Sequence, residues 1–450
     1  MGVMRTDDRL GSAGAWESMK DFVCDPRDFI SRPYWDCPFC GAQRTFGVSM
    51  VLHDHYVRRC RTCLCDTTHS LPPVHKKVIY LDQFVISNMM KALNPQTKAH
   101  KKRSADPYWA HLFAKLHSLC KLQLIVCPDS SLHEQESALA PQFYRALKRM
   151  YELLSHAVGF DSPTEIKQLQ IGDGALNWVR GEDGKAPNLD PEGVVDGKVH
   201  GWQQRLILSA DIPIERQWVD ELRTEREQAA RWLKERFCSW AKEGTTFEQQ
   251  FDIELRAFPR TLLKLHFGRQ AKLAAILEGK HEPALSDLYP DLSSSLILSV
   301  HSAFTRAGVR DSELWPKTLE YLLSDSLRNV PFIRISAMLY AALARRAASG
   351  RKRPPDRGMM SDIRIISVLL PYCDAMFIDN ECRGLLCEEP LSGALDYGTT
   401  LFSTNNKERF LNYLDDIKSR ASPEHLDKVK EVYGEDWEKP YTTLYQPGSA

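Results

Sequence analysis

The chain has 450 residues, enough for two or three hydrophobic cores, and its 43% hydrophobic and 26% charged content is that of ordinary globular protein. Its 59 basic residues balance 59 acidic ones, so no global field draws it to nucleic acid, and any such binding has to come from local clusters of charge. No apolar run approaches the roughly 20 residues of a membrane helix, and the first 30 residues lack a charged-then-apolar signal pattern, so the expected location is cytoplasmic, with no membrane partner.

Residues 1–30 read as an N-terminal extension, and 31–76 as a small module built on cysteine. Cys37-Pro-Phe-Cys40-Gly41 and Cys60-Arg-Thr-Cys63 are two C-x-x-C knuckles 19 residues apart, a spacing that lets a hairpin bring four thiolates around one ion. Thr45 to Val57 is rich in β-formers suited to that hairpin, and Gly41 frees backbone amides to turn toward the sulfurs. Four thiolates close a tetrahedral shell, so the expected ion is structural Zn²⁺; His53, His55, Cys65 and His69 are the residues that could replace one ligand. The other seven cysteines (Cys24, Cys120, Cys127, Cys238, Cys373, Cys382 and Cys387) are scattered, mostly beside apolar residues, and read as small buried hydrophobes.

Val78 to Asp82 is a short β-branched run ending in an acid and reads as a strand, with a helix to follow from Ser87. Tyr108 to Cys120 has helical periodicity, Leu122 to Cys127 reads as a second buried strand, and Ser130 or Ser131 caps a helix carrying Glu134 and Glu136. From 141 to about 340 the pattern becomes long, Trp- and Arg-rich amphipathic helices such as Trp218 to Trp240, with loops around Gly172 to Gly201 and Pro283 to Leu292. After a basic loop, a helix starts near Ser361 and stops at Pro371, Ala375 to Ile378 is a strand ending at Asp379, and Leu401 to Ser403 is another. The expected organisation is an α/β domain with a parallel sheet in three layers, formed by 77–140 and 351–450 and interrupted by a helical insertion over 141–350.

In open parallel sheets the reactive crevice lies at the carboxyl ends of the strands, and Asp82 and Asp379 each directly follow a predicted strand. Glu136, with Glu134 as its alternative, and Asp362 lie on the adjoining helices, so four carboxylates can converge there. Such a cluster repels itself unless a cation or a proton intervenes, and hard ions, Mg²⁺ or Mn²⁺, match an all-oxygen site. Asp374 lies at the opposite end of its strand and is expected to be structural; Asn406 suits a turn or a metal-bound water.

These motifs resemble the PIN-like nuclease superfamily: Leu81-Asp82 followed by Ser87, Ser130 through Glu136, then Asp362 opening a helix and Asp379 closing the next strand, with Thr400 to Thr404 like the closing strand. The match covers about 77–140 and 359–415. It implies a metal-dependent nuclease in which Asp82, Glu136, Asp362 and Asp379 hold one or two Mg²⁺ or Mn²⁺ ions and a water hydrolyses the phosphodiester to a 3′-hydroxyl and a 5′-phosphate. RNA is the substrate that the resemblance implies, with DNA cleavage also found in the wider superfamily, and with homodimerisation and a toxin or defence role as further analogies.

Near Asp362, the basic loop Arg345 to Arg357, with Arg351, Lys352, Arg353 and Arg357, is a candidate phosphate contact; the run Lys98 to Arg103 reads as a solvated helix end. Trp202, Trp218, Trp232 and Trp240 suit core packing or stacking on unpaired bases. A competing reading is a catalytically degenerate regulatory protein that binds a protein partner through its ribbon or its helical insertion. A third is a metal-independent ribonuclease centred on Arg260 and His266, whose spacing loosely resembles the HEPN motif but places the two about 120° apart on a helix.

Overall fold

The computed structural model describes residues 25–182, 185, 187–205, 214–284, 287 and 289–445. Most of the 1–30 extension and Cys24 lie outside these residues. The chain forms two units, one from residues up to 74 with 201–206 and 422–437, the other from 75–200, 207–421 and 438–450. The helix Pro423–Tyr433, which the sequence reading gives to the C-terminal part of the α/β domain, thus belongs with the ribbon.

The first unit is an antiparallel sheet in the order β1 (Ser31–Trp35), β2 (Phe46–Val51), β3 (His55–Cys60), β4 (Asp66–Ser70). The expected hairpin is β2–β3, with Phe46 opposite Cys60, and Gly41 after the first knuckle has φ +73°, a conformation that carries little penalty only for glycine. At the centre lies Arg58, fully buried. Its Nη1 donates to the carbonyls of Pro33 (2.9 Å) and Phe46 (3.2 Å), and its Nη2 to that of Glu431 (2.9 Å), while the guanidinium sits 3.2 Å from the Trp35 ring centroid. The Tyr56 hydroxyl donates to the Glu431 carboxylate at 2.6 Å, so two β3 side chains tie the sheet to the C-terminal helix.

In the second unit β5 (Lys77–Leu81) pairs in parallel with β6 (Ile125–Val126) on one side and β10 (Ala375–Phe377) on the other, and β10 with β11 (Thr400–Phe402). The order is β11-β10-β5-β6. Alternate residues feed two cores, one on each face: Val78, Tyr80, Met376 and Ile378 enter one, Ile79, Leu81, Ala375 and Phe377 the other. This is the mixed α/β architecture with a parallel sheet that the strand pattern implies. A three-stranded sheet of β7 (Asp129–Ser130), β8 (Gly159–Phe160) and β9 (Val195–Asp196) has strands too short to be legible as periodicity.

The helices used below are α1 (Gln83–Leu93), α2 (Pro107–Lys121), α3 (Ser131–Ala138), α4 (Tyr144–Ser155), α5 (Pro163–Val179), α6 (Arg216–Glu243), α7 (Phe247–Leu277), α8 (Met359–Leu369) and α9 (Asn380–Leu386). α1 begins four residues before Ser87 because the Asp82 carboxylate caps it, accepting from Phe84 N at 3.2 Å. α4 packs Leu147, Met150, Tyr151 and Leu154 into the core beneath the sheet, so the α/β core extends past 141. Gly172 and Gly174 lie inside α5 rather than in a loop. A Cβ on Gly174 would sit 2.7 Å from the Tyr321 hydroxyl and 3.0 Å from Val330, so the glycine is required by close packing. Among the described residues no helix is long and apolar enough to cross a membrane.

Replacing Arg58 with Ala would strip three backbone carbonyls of their donors, each worth about 1–3 kcal/mol when left buried and unpaired. The expected result is loss of hydrogen-exchange protection through β1–β4, with protection of β5 and β10 retained; unchanged protection in β1–β4 would contradict the role assigned to Arg58.

Candidate metal centres

In the first unit the four knuckle sulfurs all lie within 4.8 Å of one another, with Cys37 Sγ 3.7 Å from Cys63 Sγ and Cys40 Sγ 3.8 Å from Cys60 Sγ. Sulfurs about 2.3 Å from a tetrahedral ion stand about 3.8 Å apart, and a disulfide requires about 2.05 Å. The spacing fits an ion such as zinc, not two disulfides. Thr62 N (3.2 Å) and Cys63 N (3.5 Å) donate to Cys60 Sγ, the arrangement a turn needs to support a thiolate. His69 stacks on Tyr56 at 5.0 Å, and its Nε2 is 2.8 Å from the Thr67 hydroxyl; His55 Nδ1 pairs with Asp54.

In the second unit the parallel register, Leu81 opposite Phe377, brings the carboxyl ends of β5 and β10 level. Asp82 follows the first and donates its N–H to Phe377 O at 3.0 Å; Asp379 follows the second. Asp362 stands in the first turn of α8, and carboxylate oxygens of Asp362 and Asp379 lie within 4.8 Å of each other and of the Cys382 sulfur. Asp379 Oδ1 accepts from Glu381 N (2.6 Å) and Cys382 N (3.0 Å), whereas its Oδ2 is buried without a partner. A turn role therefore accounts for only one of its oxygens.

Electrostatics join Glu136 to this group. Burial, then the charge of Glu136, pushes the Asp82 carboxyl up to about 8, with Asp379 adding to the rise. Burial, then Asp82, Asp379 and Glu136, holds Asp362 well above the carboxylate range. Burial also raises Glu136, against the pull of Arg226, whose Nη2 donates to Glu136 Oε1 at 3.0 Å. Glu134, the alternative, is exposed and accepts from the Tyr144 hydroxyl at 3.0 Å. Of the two glutamates, Glu136 is the one whose charge acts on Asp82 and Asp362.

Three supporting residues escape a reading of sequence. His133 on α3 makes a 2.9 Å hydrogen bond from Nε2 to Leu81 O and stacks between Tyr80 and Tyr151, fixing the helix of Glu136 to the strand of Asp82. Burial pulls this imidazole down to about 4, so it is neutral with the proton on Nε2. Arg226 comes from α6, ninety residues from its partner, and nothing in the Arg-rich helix singles it out. Cys382 is a buried thiol whose Sγ lies 3.7 Å from Met359 Sδ; burial, then Asp362 and Asp379, raises it, so it lines the site as a thiol. Burial fits the expectation for Cys120, Cys127, Cys373 and Cys382, whereas Cys238 and Cys387 are exposed.

The basic loop is divided. Arg351 pairs with Glu381 at 2.9 Å, next to the Asp379 cap, while Lys352, Arg353 and Arg357 are exposed. Asp374 is structural, its two oxygens taking Lys77 Nζ (2.6 Å) and Val78 N (2.8 Å), and Asn406 serves a turn, accepting from Ser403 N at 2.7 Å. Trp202 and Trp240 are buried with their indole N–H groups bonded to Pro72 O and Gln250 Oε1, which leaves no face for a base. Trp218 is half-buried and Trp232 is exposed. Arg260 is exposed while His266 is buried beside Ser294, so these two share no site.

No family model, curated protein or solved structure matches this chain. The chemistry is therefore argued from the residues.

Two outcomes follow from these sites. Replacing both Cys37 and Cys40 with Ser is expected to abolish a one-to-one metal content measured by elemental analysis and to destabilise the first unit. Replacing Asp362 with Asn removes a carboxyl whose raised pKa costs stability at neutral pH, so in chelator it should raise thermal stability by on the order of 1 kcal/mol, while Mn²⁺ should stabilise the wild type and not the variant. A variant that is destabilised in chelator and still responds fully to Mn²⁺ would show that the acids are not mutually strained.

Proposed function

We propose that the second unit is a PIN-like, metal-dependent nuclease and that the first is a structural zinc ribbon. What supports the reading is the pairing of Asp362 with Asp379, carboxylate oxygens within 4.8 Å, at the carboxyl edge of a parallel sheet, with Asp82 ending the adjoining strand and the helix of Glu136 bonded to that strand through His133. One buried oxygen of Asp379 lacks a partner, and two of the carboxyls are raised by burial first and by the neighbouring acids second. An all-carboxylate donor set suits Mg²⁺ or Mn²⁺, and the thiol of Cys382, kept protonated, does not change that preference.

Asp82, Glu136, Asp362 and Asp379 would hold the ion. When bound, such an ion lowers the pKa of a water and offsets charge growing on a phosphate. The chain's own contribution is rigidity. Asp82 and Asp379 are each fixed by the amides of the helix they cap, and Glu136 is fixed by Arg226 and, through its helix, by the His133 bond to Leu81. Lys352, Arg353 and Arg357 offer exposed positive charge to a nucleic-acid backbone. RNA is the proposed substrate, with single-stranded and duplex DNA as the alternatives to be tested. A second reading, a regulatory protein without catalysis, is favoured by one observation: Arg226 already neutralises Glu136.

The test is incubation of the full chain with labelled single-stranded RNA, single-stranded DNA and duplex, in Mn²⁺, Mg²⁺ or EDTA. Cleavage is expected with Mn²⁺ or Mg²⁺, leaving 5′-phosphate ends, and Asp82→Asn or Asp379→Asn should slow it about 100-fold or more. Inert wild type on every substrate, or variants as active as wild type, would exclude the nuclease.

A further inference from the structure

Arg226 is the one point at which the helical block reaches the acidic centre through a hydrogen bond among the described residues. Its Nη2 touches Glu136, and the same nitrogen lies 3.6 Å from the position a Cβ on Gly358 would occupy, a point 3.5 Å from Asp362 Oδ2 and 3.4 Å from Asp356 Oδ1. The guanidinium therefore stands between α3, which carries Glu136, and the start of α8, which carries Asp362.

Holding a carboxylate is only part of what the group can do here. A guanidinium has five N–H donors in a planar fork, and the structure pairs one of them. The Arg226 side chain is 32% exposed, against 17% for Glu136, so the guanidinium is not sealed behind its partner. A residue that served only to fix Glu136 would have no need of the further donors of the fork, and a lysine would serve as well. Gly358, which closes the other side, adds no side chain to obstruct it.

We infer that Arg226 is a catalytic residue of this centre, fixing Glu136 with one nitrogen and donating from its remaining N–H groups to a non-bridging oxygen of the scissile phosphate. The inference rests on the nuclease reading and goes beyond it by giving the helical block a share in the chemistry. In hydrolysis the water oxygen bonds to phosphorus and the P–O3′ bond breaks, its electron pair leaving on O3′; a water proton ends on that oxygen. Negative charge grows meanwhile on the non-bridging oxygens, and a preorganised donor there lowers the barrier. The substrate class this favours is a phosphodiester presented singly and approached from the α6 side, with the exposed Lys352, Arg353 and Arg357 available for flanking phosphates.

Three measurements on the full chain separate the roles of Arg226. The first is calorimetric titration with Mn²⁺ alone, the second is anisotropy of a fluorescein-labelled single strand with Ca²⁺ in place of Mn²⁺, and the third is cleavage kinetics. For Arg226→Ala, Mn²⁺ should bind as tightly as in wild type or more tightly, because a competing positive charge has gone. The strand should bind roughly tenfold more weakly, and kcat should fall about 100-fold even at saturating Mn²⁺. Arg226→Lys keeps the charge without the fork and should restore strand binding better than kcat, which also guards against an Ala variant that simply misfolds.

Wild-type strand binding and kcat in Arg226→Ala would overturn the inference, as would a defect that saturating Mn²⁺ repairs, since that would reduce Arg226 to a support for Glu136. If wild type cuts no strand, the nuclease reading fails by itself. Strand binding still decides whether Arg226 contacts phosphate, and unchanged affinity in Arg226→Ala would then reject the contact.

Discussion

Half-buried carboxylates brought to one edge of a parallel sheet repel one another, and where water is partly excluded that repulsion costs stability unless a proton or a cation stands among them. Much of the second unit can be understood as the management of that repulsion. Asp82 caps α1 and Asp379 caps α9, while Asp362 sits in the first turn of α8, so three helix N-termini direct amide dipoles at the cluster. Glu136, farther along its helix, has no such dipole and instead receives Arg226. Even so, burial first and the neighbouring acids second keep the Asp82 and Asp362 carboxyls above their usual range.

The two candidate centres divide metals by donor chemistry. One offers four sulfurs at the spacing of a closed tetrahedron; the other offers oxygens with a thiol held protonated at its wall. A soft or borderline ion suits the first donor set and a hard ion the second.

Features encoded locally were the ones legible in the sequence. The knuckles, the strands of Asp82 and Asp379, the Ser130 cap and the helix of Asp362 each depend on residues within one or two turns of one another, and each was placed to within a few residues. The start of α1 was missed because Asp82 acts both as the end of a strand and as a cap. Gly172 and Gly174 resemble loop residues until Tyr321 and Val330, about 150 residues away, press against the helix that contains them. Arg226 and His133 were invisible for a related reason. Each is defined by contacts distant in sequence, above all those to Glu136 and to Leu81, that no periodicity records. The four acids could be ordered along the chain; the cation that makes their proximity tolerable could not.

Arg58 gives the first unit a property that its small size conceals. Its guanidinium binds carbonyls of Pro33, Phe46 and Glu431, and the unit takes strands from the beginning of the chain and a helix from near the end. On a ribosome the cysteine knuckles emerge first, yet the carbonyl that completes the Arg58 cage is made nearly 400 residues later. The sheet must therefore wait, with a buried cation not yet fully partnered, while the polypeptide between its parts is synthesised and folds. Completion of the N-terminal module becomes a late event in the life of the molecule, and a chain cut short before Glu431 would carry its ribbon in an unfinished state.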